Sequence, residues 1–142
     1  GGGSAMRAAA EAELDQAGRP RPNAKASDRA AAWSSRAWSK AAAAPDTDKS
    51  YLQYVMLSRD IPGHIPVIVD KDIPRTSIPN NPDALRRVLL AYAARNPDVG
   101  YVQGMSGIGA FLLLTCEEQA AFWLLAYLVE DVLPPHFYSA EL

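Results

Sequence analysis

Apolar residues recur at helical spacing along most of this chain, in segments set apart by proline and glycine. The clearest segment opens at Asn81-Pro82-Asp83, which supplies a capping side chain, a proline for the first turn and a carboxylate for the positive end of the helix dipole. Leu85, Val88, Leu89 and Tyr92 then form one stripe, and Asn96-Pro97 stops the helix. Arg86, Arg87 and Arg95 fall largely off that stripe, on a face that reads as solvated, contact with an acidic partner being the alternative. Residues 104–114 are apolar and carry Gly104, Gly107 and Gly109. Glycine weakens a helix, so its recurrence predicts a helix pressed closely against a neighbour. Thr115-Cys116-Glu117-Glu118 has the spacing of a capping box, Thr115 as N-cap and Glu118 three residues on. The segment that follows, to Val132, carries Phe122, Trp123, Leu124, Leu125, Tyr127, Leu128 and Val129. It is apolar nearly all round, which predicts burial on more than one side. Leu133-Pro134-Pro135 ends it.

Earlier in the chain, residues 28–44 are Ala-rich, with Asp28 as N-cap, Pro45 as the stop, and Trp33 and Trp38 as the large apolar residues. A helix is expected over 48–58 with Tyr51, Leu52, Val55 and Met56 on one side, and Pro62-Gly63 marks a turn. Val67-Ile68-Val69 is a β-branched run that propensity assigns to a strand, whereas Pro66 suits the first turn of a helix. Helix is the expectation, because the chain offers that strand no partner and a lone strand leaves its backbone groups unpaired. Residues 76–80 read as a loop. Residues 1–6, Gly-Gly-Gly-Ser-Ala-Met, read as a cloning remnant, and 7–16 suit a short helix. Residues 17–27, with two Arg-Pro pairs and no large apolar residue, read as a linker. The expected organisation is a segment 1–27 outside the fold and one all-α, multi-helix unit over 28–142.

Composition narrows the function classes. The net charge is -2, with no basic stripe and no signal sequence, so neither nucleic-acid binding nor secretion is expected. The last two apolar runs fall short of the ~20 residues that a bilayer requires, and Glu117, Glu118, Glu130 and Asp131 flank the second, so no transmembrane segment is expected. With one cysteine no intrachain disulfide can form, which suits the cytoplasm; Cys116 has no histidine near it and reads as a packing residue. His64 and His136 are isolated, so no metal site is expected, and there is neither a phosphate-binding glycine loop nor a serine-nucleophile motif.

Chemistry concentrates between Val69 and Met105, where Arg75 and Gln103 each sit beside proline or glycine, at places where a backbone turns and a side chain can be aimed outward. On pattern alone Arg75 is either an outward cation or one half of a loop salt bridge with Asp72 or Asp70, and Gln103 is either a reactive amide or a helix-capping turn residue.

Val69, Asp72 and Arg75 match Ile-x-x-Asp-x-x-Arg with valine for isoleucine, and Tyr101 and Gln103 match Tyr-x-Gln. With Thr76, the run from Leu85 to Tyr92 and Asn-Pro-Asp-Val-Gly-Tyr-Val-Gln-Gly-Met, the stretch resembles the TBC domain, the catalytic domain of GTPase-activating proteins for Rab GTPases. The family's first signature, Arg-x-x-x-Trp, has two candidates. Arg29 and Trp33 have its spacing, whereas Trp38 has the family-like Ala-rich context but Ser34 in place of the arginine; the context favours Trp38, in a packing role.

The resemblance implies a Rab activator, an enzyme regulator with no substrate site of its own, in which Arg75 and Gln103 are catalytic in trans. It implies that the Rab carries the GTP and Mg²⁺, and that this chain binds no cofactor. Asp72, Tyr101, Thr76 and Gly104 fall to supporting that pair, and Trp33, Trp38 and Met105 to packing or partner contact. It implies a cytoplasmic protein of vesicle trafficking, peripheral to membranes through its Rab. A catalytically inactive TBC scaffold is the alternative; a purely structural adaptor would leave Arg75 paired internally and Gln103 buried. The resemblance covers residues 33–138, the N-terminal half of the family's domain, so the C-terminal half, in the same or a separate chain, is expected to cover part of the helix ending near Val132. Otherwise that helix leaves an apolar patch exposed.

Overall fold

The computed structural model describes residues 26–44, 48–134 and 137, the side chains of residues 26–29 excepted. Among the described residues six α-helices follow one another: α1 (Ala26–Ala43), α2 (Tyr51–Leu57), α3 (His64–Asp72), α4 (Pro82–Arg95), α5 (Met105–Thr115) and α6 (Glu118–Tyr127). Short 3₁₀ turns follow α2 and α3, and a π-helical turn, Leu128–Val132, extends α6. Among the described residues there is no strand, so the all-α reading holds and Val67-Ile68-Val69 is helical. No described helix is long and apolar enough to cross a membrane.

Two helices make the interior. α4 packs against α2, α3, α5 and α6, while α6 packs against α1, α4 and α5. The capped start at Asn81 forms as expected, its side chain accepting from the Ala84 amide at 3.2 Å, and Leu85, Val88, Leu89 and Tyr92 are all buried. Phe122 of α6 is the hub, its ring lying 4.9 Å from Tyr51, 5.7 Å from Tyr54, 6.4 Å from Tyr92 and 5.0 Å from Trp123 in tilted or edge-on arrangements.

Several local expectations are corrected. α1 is already helical at Ala26, the first described residue and within the stretch assigned to the linker, so Asp28 lies inside the helix and is not the N-cap; nothing in Ala26-Ser27 breaks the Ala-rich helix. Pro45 and the 7–16 helix lie outside the described residues. α2 starts at Tyr51, with Ser50 and Gln53 closing a reciprocal capping box, and its buried residues are Tyr51 and Tyr54. Leu52 and Met56, expected inside, are exposed.

The Thr115–Glu118 capping box does not form. Glu117 occupies the N-cap position of α6, the Thr115 hydroxyl donates back to the Leu112 carbonyl at 3.0 Å, and Glu118 is engaged by Arg87 and by the Tyr51 hydroxyl. α6, expected to need covering from outside, is buried by this chain's own α1, α4 and α5 from Ala120 through Ala126. Past Ala126 the apolar run is half-buried at Tyr127, Leu128 and Val129 and exposed at Val132, and α5 exposes Phe111 and Leu114. Cys116 is half-buried, its thiol donating to the Leu112 carbonyl at 3.1 Å, and burial raises its pKa.

The α5 glycines separate into distinct cases. A Cβ on Gly109 would lie 2.8 Å from Cδ1 of Leu85, which is fully buried, whereas one on Gly107 would meet nothing within 4 Å. Close packing therefore explains Gly109 alone. Gly109→Val is expected to cost about 1–3 kcal/mol through overpacking, and Gly107→Ala to stabilise by roughly 0.5–1 kcal/mol through helix propensity. Urea denaturation of the two variants would show opposite shifts in midpoint, and equal shifts would refute this account.

Candidate functional site

The site lies where the end of α3 meets the start of α5. Pro74 sets the second residue of the turn Ile73–Arg75, which closes with the Thr76 amide on the Ile73 carbonyl at 3.1 Å and leaves Arg75 exposed at its end. On the other side the chain turns through residues 102–105, the Met105 amide donating to the Val102 carbonyl at 3.0 Å. Gly104 occupies the N-cap of α5 at φ +100°, a left-handed conformation in which a Cβ is strained although space around it is open. Gln103, just before it, is turned outward and exposed.

Arg75 and Gln103 share an open groove of about 260 Å³, with Asp72, Thr76, Ser77, Ile78, Gly104, Ser106 and Gly107 as the other lining residues. Among the described residues the Arg75 guanidinium forms no ion pair, with Asp70 or Asp72 or any other carboxylate; Asp70 instead pairs with Arg86 at 2.8 Å. The Gln103 amide caps none of the described helices. The adaptor expectation, with Arg75 paired internally and Gln103 buried, is not met.

Hydrogen bonds beneath the groove tie its two sides together. Asp72 is 7% exposed and its carboxylate accepts from the Tyr101 hydroxyl at 2.6 Å, so it holds the Gln103 side of the groove and not Arg75. Burial first, and then the Asp72 carboxylate, push the Tyr101 phenol up to about 12, with the Ser106 side chain acting in the opposite sense. The phenol thus keeps its proton through neutral pH and donates it. Because the folded state holds that proton more tightly than the unfolded chain, this bond's contribution is complete below pH ~10 and is lost as pH rises towards about 12. Tyr101→Phe is expected to remove part of the stability loss over that window in pH-dependent denaturation; an unchanged alkaline profile would contradict the assignment.

The Thr76 hydroxyl stands 3.0 Å from the Asp72 carbonyl and 2.8 Å from the Ser106 hydroxyl. The Asp72 carbonyl and the Ser106 hydroxyl are thus both within hydrogen-bond reach of the Thr76 hydroxyl, whose one proton serves one of them at a time. Met105 is 1% exposed and packs in the core, its sulfur accepting from the Val102 amide at 3.2 Å, so it is not a partner contact. Trp38, expected to pack, is exposed, and Trp33 is the tryptophan that packs against the core. Trp38 points outward because the buried side of α1 runs through Ala32 and Ala37. Among the described residues no group of three or more His, Cys, Asp or Glu could hold a metal ion.

The profile of the Rab-GTPase-TBC domain family matches residues 29–142, most of the chain. The chain belongs to that family. A TBC domain-containing protein of Schizosaccharomyces pombe is 43% identical over 83 residues, 52% of this chain and 11% of that protein. TBC1 domain family member 2A of Mus musculus is 50% identical over 62 residues, 43% of this chain and 7% of its own length. The Homo sapiens protein of that name is 42% identical over 85 residues, 52% of this chain and 9% of its length. The chain thus spans only a small part of the curated relatives it matches. No solved structure matches it.

Sequence reasoning missed two features of this TBC domain chain. Ser106, 5% exposed, is the other buried polar residue beneath the groove. Its signal was faint, a single hydroxyl in an otherwise apolar run. Arg95, read as solvated, instead lies between Asp48 and Glu130, at 2.7 Å and 3.0 Å, with its guanidinium 5.0 Å from the Trp123 ring centre. Arg87, on the same helix, pairs with Glu118 at the surface.

Proposed function

We propose that this chain contributes the catalytic groups of a Rab GTPase activator, presenting Arg75 and Gln103 in trans to GTP and Mg²⁺ held by the Rab. The observation that carries the reading is the shared groove, into which two exposed side chains, without ion pair or cap among the described residues, converge from separate segments. During GTP hydrolysis negative charge spreads over the transferring phosphoryl oxygens as a water attacks in line, so the protein's contribution is positioning and electrostatics. A planar, permanently charged guanidinium meets those oxygens with a fork of donors. A carboxamide can accept from the attacking water while donating elsewhere, the task a GTPase otherwise assigns to its own glutamine. Asp72 and Tyr101 act on this pair as supports, and the chain needs no cofactor of its own.

The test is single-turnover phosphate release from a panel of GTP-loaded Rabs, with the whole natural polypeptide that carries this chain, its Arg75→Ala variant and its Gln103→Ala variant. Acceleration of at least one Rab that both substitutions abolish is the expected result, and it names the partner. Binding without acceleration would replace this reading with a scaffold role.

A further inference from the structure

Two bridges join the segments that carry Arg75 and Gln103, and each of those residues lies between the anchors of its own segment. Asp72 and Thr76 bracket Arg75, while Tyr101 and Ser106 bracket Gln103. The first bridge is Tyr101 to Asp72 at 2.6 Å; the second is Ser106 to Thr76 at 2.8 Å, and Thr76 closes the ring onto the Asp72 carbonyl at 3.0 Å. One bridge alone would act as a pivot. Two bridges, on either side of both exposed side chains, restrain rotation as well as separation.

A hydroxyl at a 5% exposed position of an apolar helix is costly unless it is bonded, and alanine would fill that position without such a cost. Among the described residues, Asp72 and Ser106 are the buried polar side chains, and both belong to this ring. We propose that Ser106, through its hydroxyl pair with Thr76, is a positioning residue that holds Gln103 and Arg75 in register across the groove. The proposal rests on the reading of Arg75 and Gln103 as the pair that acts on GTP. In this role Ser106 need touch neither substrate nor nucleotide. It acts by limiting how far the turn at residues 102–105 can swing from the turn at Ile73–Arg75.

The experiment uses Ser106→Ala, Thr76→Val, their combination and Thr76→Ser in single-turnover hydrolysis, with activator titrated against a responsive GTP-loaded Rab. A displacement of an ångström or less at the pair is expected to lower the saturating rate about 10-fold to 100-fold, with half-saturating concentration little changed and with melting temperature little changed in Ser106→Ala, whereas Thr76→Val, which takes a partner from the buried Ser106 hydroxyl, should also melt lower. The combined variant should be no worse than the poorer single one, since both remove the same bridge. Thr76→Ser, which keeps the hydroxyl, should restore the parental rate. Saturating rates within about twofold of the parent in both hydroxyl-less variants would overturn the proposal, as would losses that track the fall in melting temperature.

A second measurement does not depend on GTP hydrolysis. NMR relaxation of the Gln103 side-chain amide and the Arg75 Nε should show both becoming more mobile in Ser106→Ala. Unchanged mobility would overturn the clasp even if the parent accelerates a Rab. If the parent accelerates none, the catalytic reading fails separately, and this mobility difference alone decides whether the clasp exists.

Discussion

Arg75→Ala is expected to lower the saturating rate of Rab-catalysed GTP hydrolysis by about 10³-fold or more, the range seen for arginines supplied in trans to phosphoryl transfer. That corresponds to roughly 4 kcal/mol of transition-state stabilisation. The structure makes this loss readable as chemistry. Arg75 is exposed and has no ion pair among the described residues, so removing its side chain leaves no buried carboxylate stranded. Stability should change by less than about 0.5 kcal/mol, as for surface substitutions away from packed or bonded features. Arg75→Lys keeps the charge but not the planar fork, and should recover only a minor part of the rate. The decisive comparison is the saturating rate beside the binding constant and the melting curve for each variant. A rate that survives Arg75→Ala would remove Arg75 from the mechanism; a rate that falls only with the melting temperature would make it a structural residue.

Arg95→Met is expected to have the largest effect on stability of any single charge change in the described residues, about 3–5 kcal/mol. Arg95 is 12% exposed and donates to Asp48, also 12% exposed, and to Glu130, 25% exposed. Its guanidinium also stands 5.6 Å from the Tyr54 ring centre and 5.0 Å from that of Trp123. Burial by itself would lower the arginine's pKa, but bonds to Glu130 and Asp48 outweigh it and hold the pKa above its ordinary value. Burial likewise raises both carboxylates, and hydrogen bonds from Tyr54 and Arg95 to Asp48, and from Arg95 to Glu130, leave each of them below its usual range. Deleting the cation strands two carboxylates in a site that water reaches poorly, which is why the cost exceeds that of an ordinary pair. Lys40, which also reaches Glu130 at 3.2 Å, compensates only in part.

The control is Arg86→Met, whose pair with Asp70 is 46% and 52% exposed and should be worth less than about 1 kcal/mol. Guanidinium denaturation of the two variants would show a large midpoint shift for Arg95 and almost none for Arg86; similar shifts would refute a buried network. Because the two carboxylates are depressed in the folded state, their contribution is complete above the usual carboxylate range near pH 4 and is lost as pH falls through their lowered values. Arg95→Met should therefore flatten the acid side of the stability profile.

Local signals in the sequence determined the helices wherever the determining residues lie within a turn or two of each other. Asn81-Pro82-Asp83 starts α4 and the stripe from Leu85 to Tyr92 sets its buried side, whereas Val67-Ile68-Val69, a strand by local propensity, is helical as the lack of a partner strand required. The signature residues from Val69 to Gln103 were likewise enough to place the chain in the TBC family. Tertiary structure decided the rest, because burial and pairing depend on what arrives from distant parts of the chain. Glu118 left its expected cap to meet Arg87 and Tyr51, which lie 31 and 67 residues away. Arg95 is largely shielded from water because Asp48 and Glu130 converge on it from 47 and 35 residues away, and no pattern confined to α4 carries that information. Arg75 and Gln103 were legible as outward-turned residues, but only the tertiary packing that joins Asp72 to Tyr101 and Thr76 to Ser106 shows that they line one groove. A hydroxyl such as Ser106 has no periodicity to reveal it, since its role comes from a partner 30 residues away that only the packing of α3 and α5 around α4 brings within 2.8 Å.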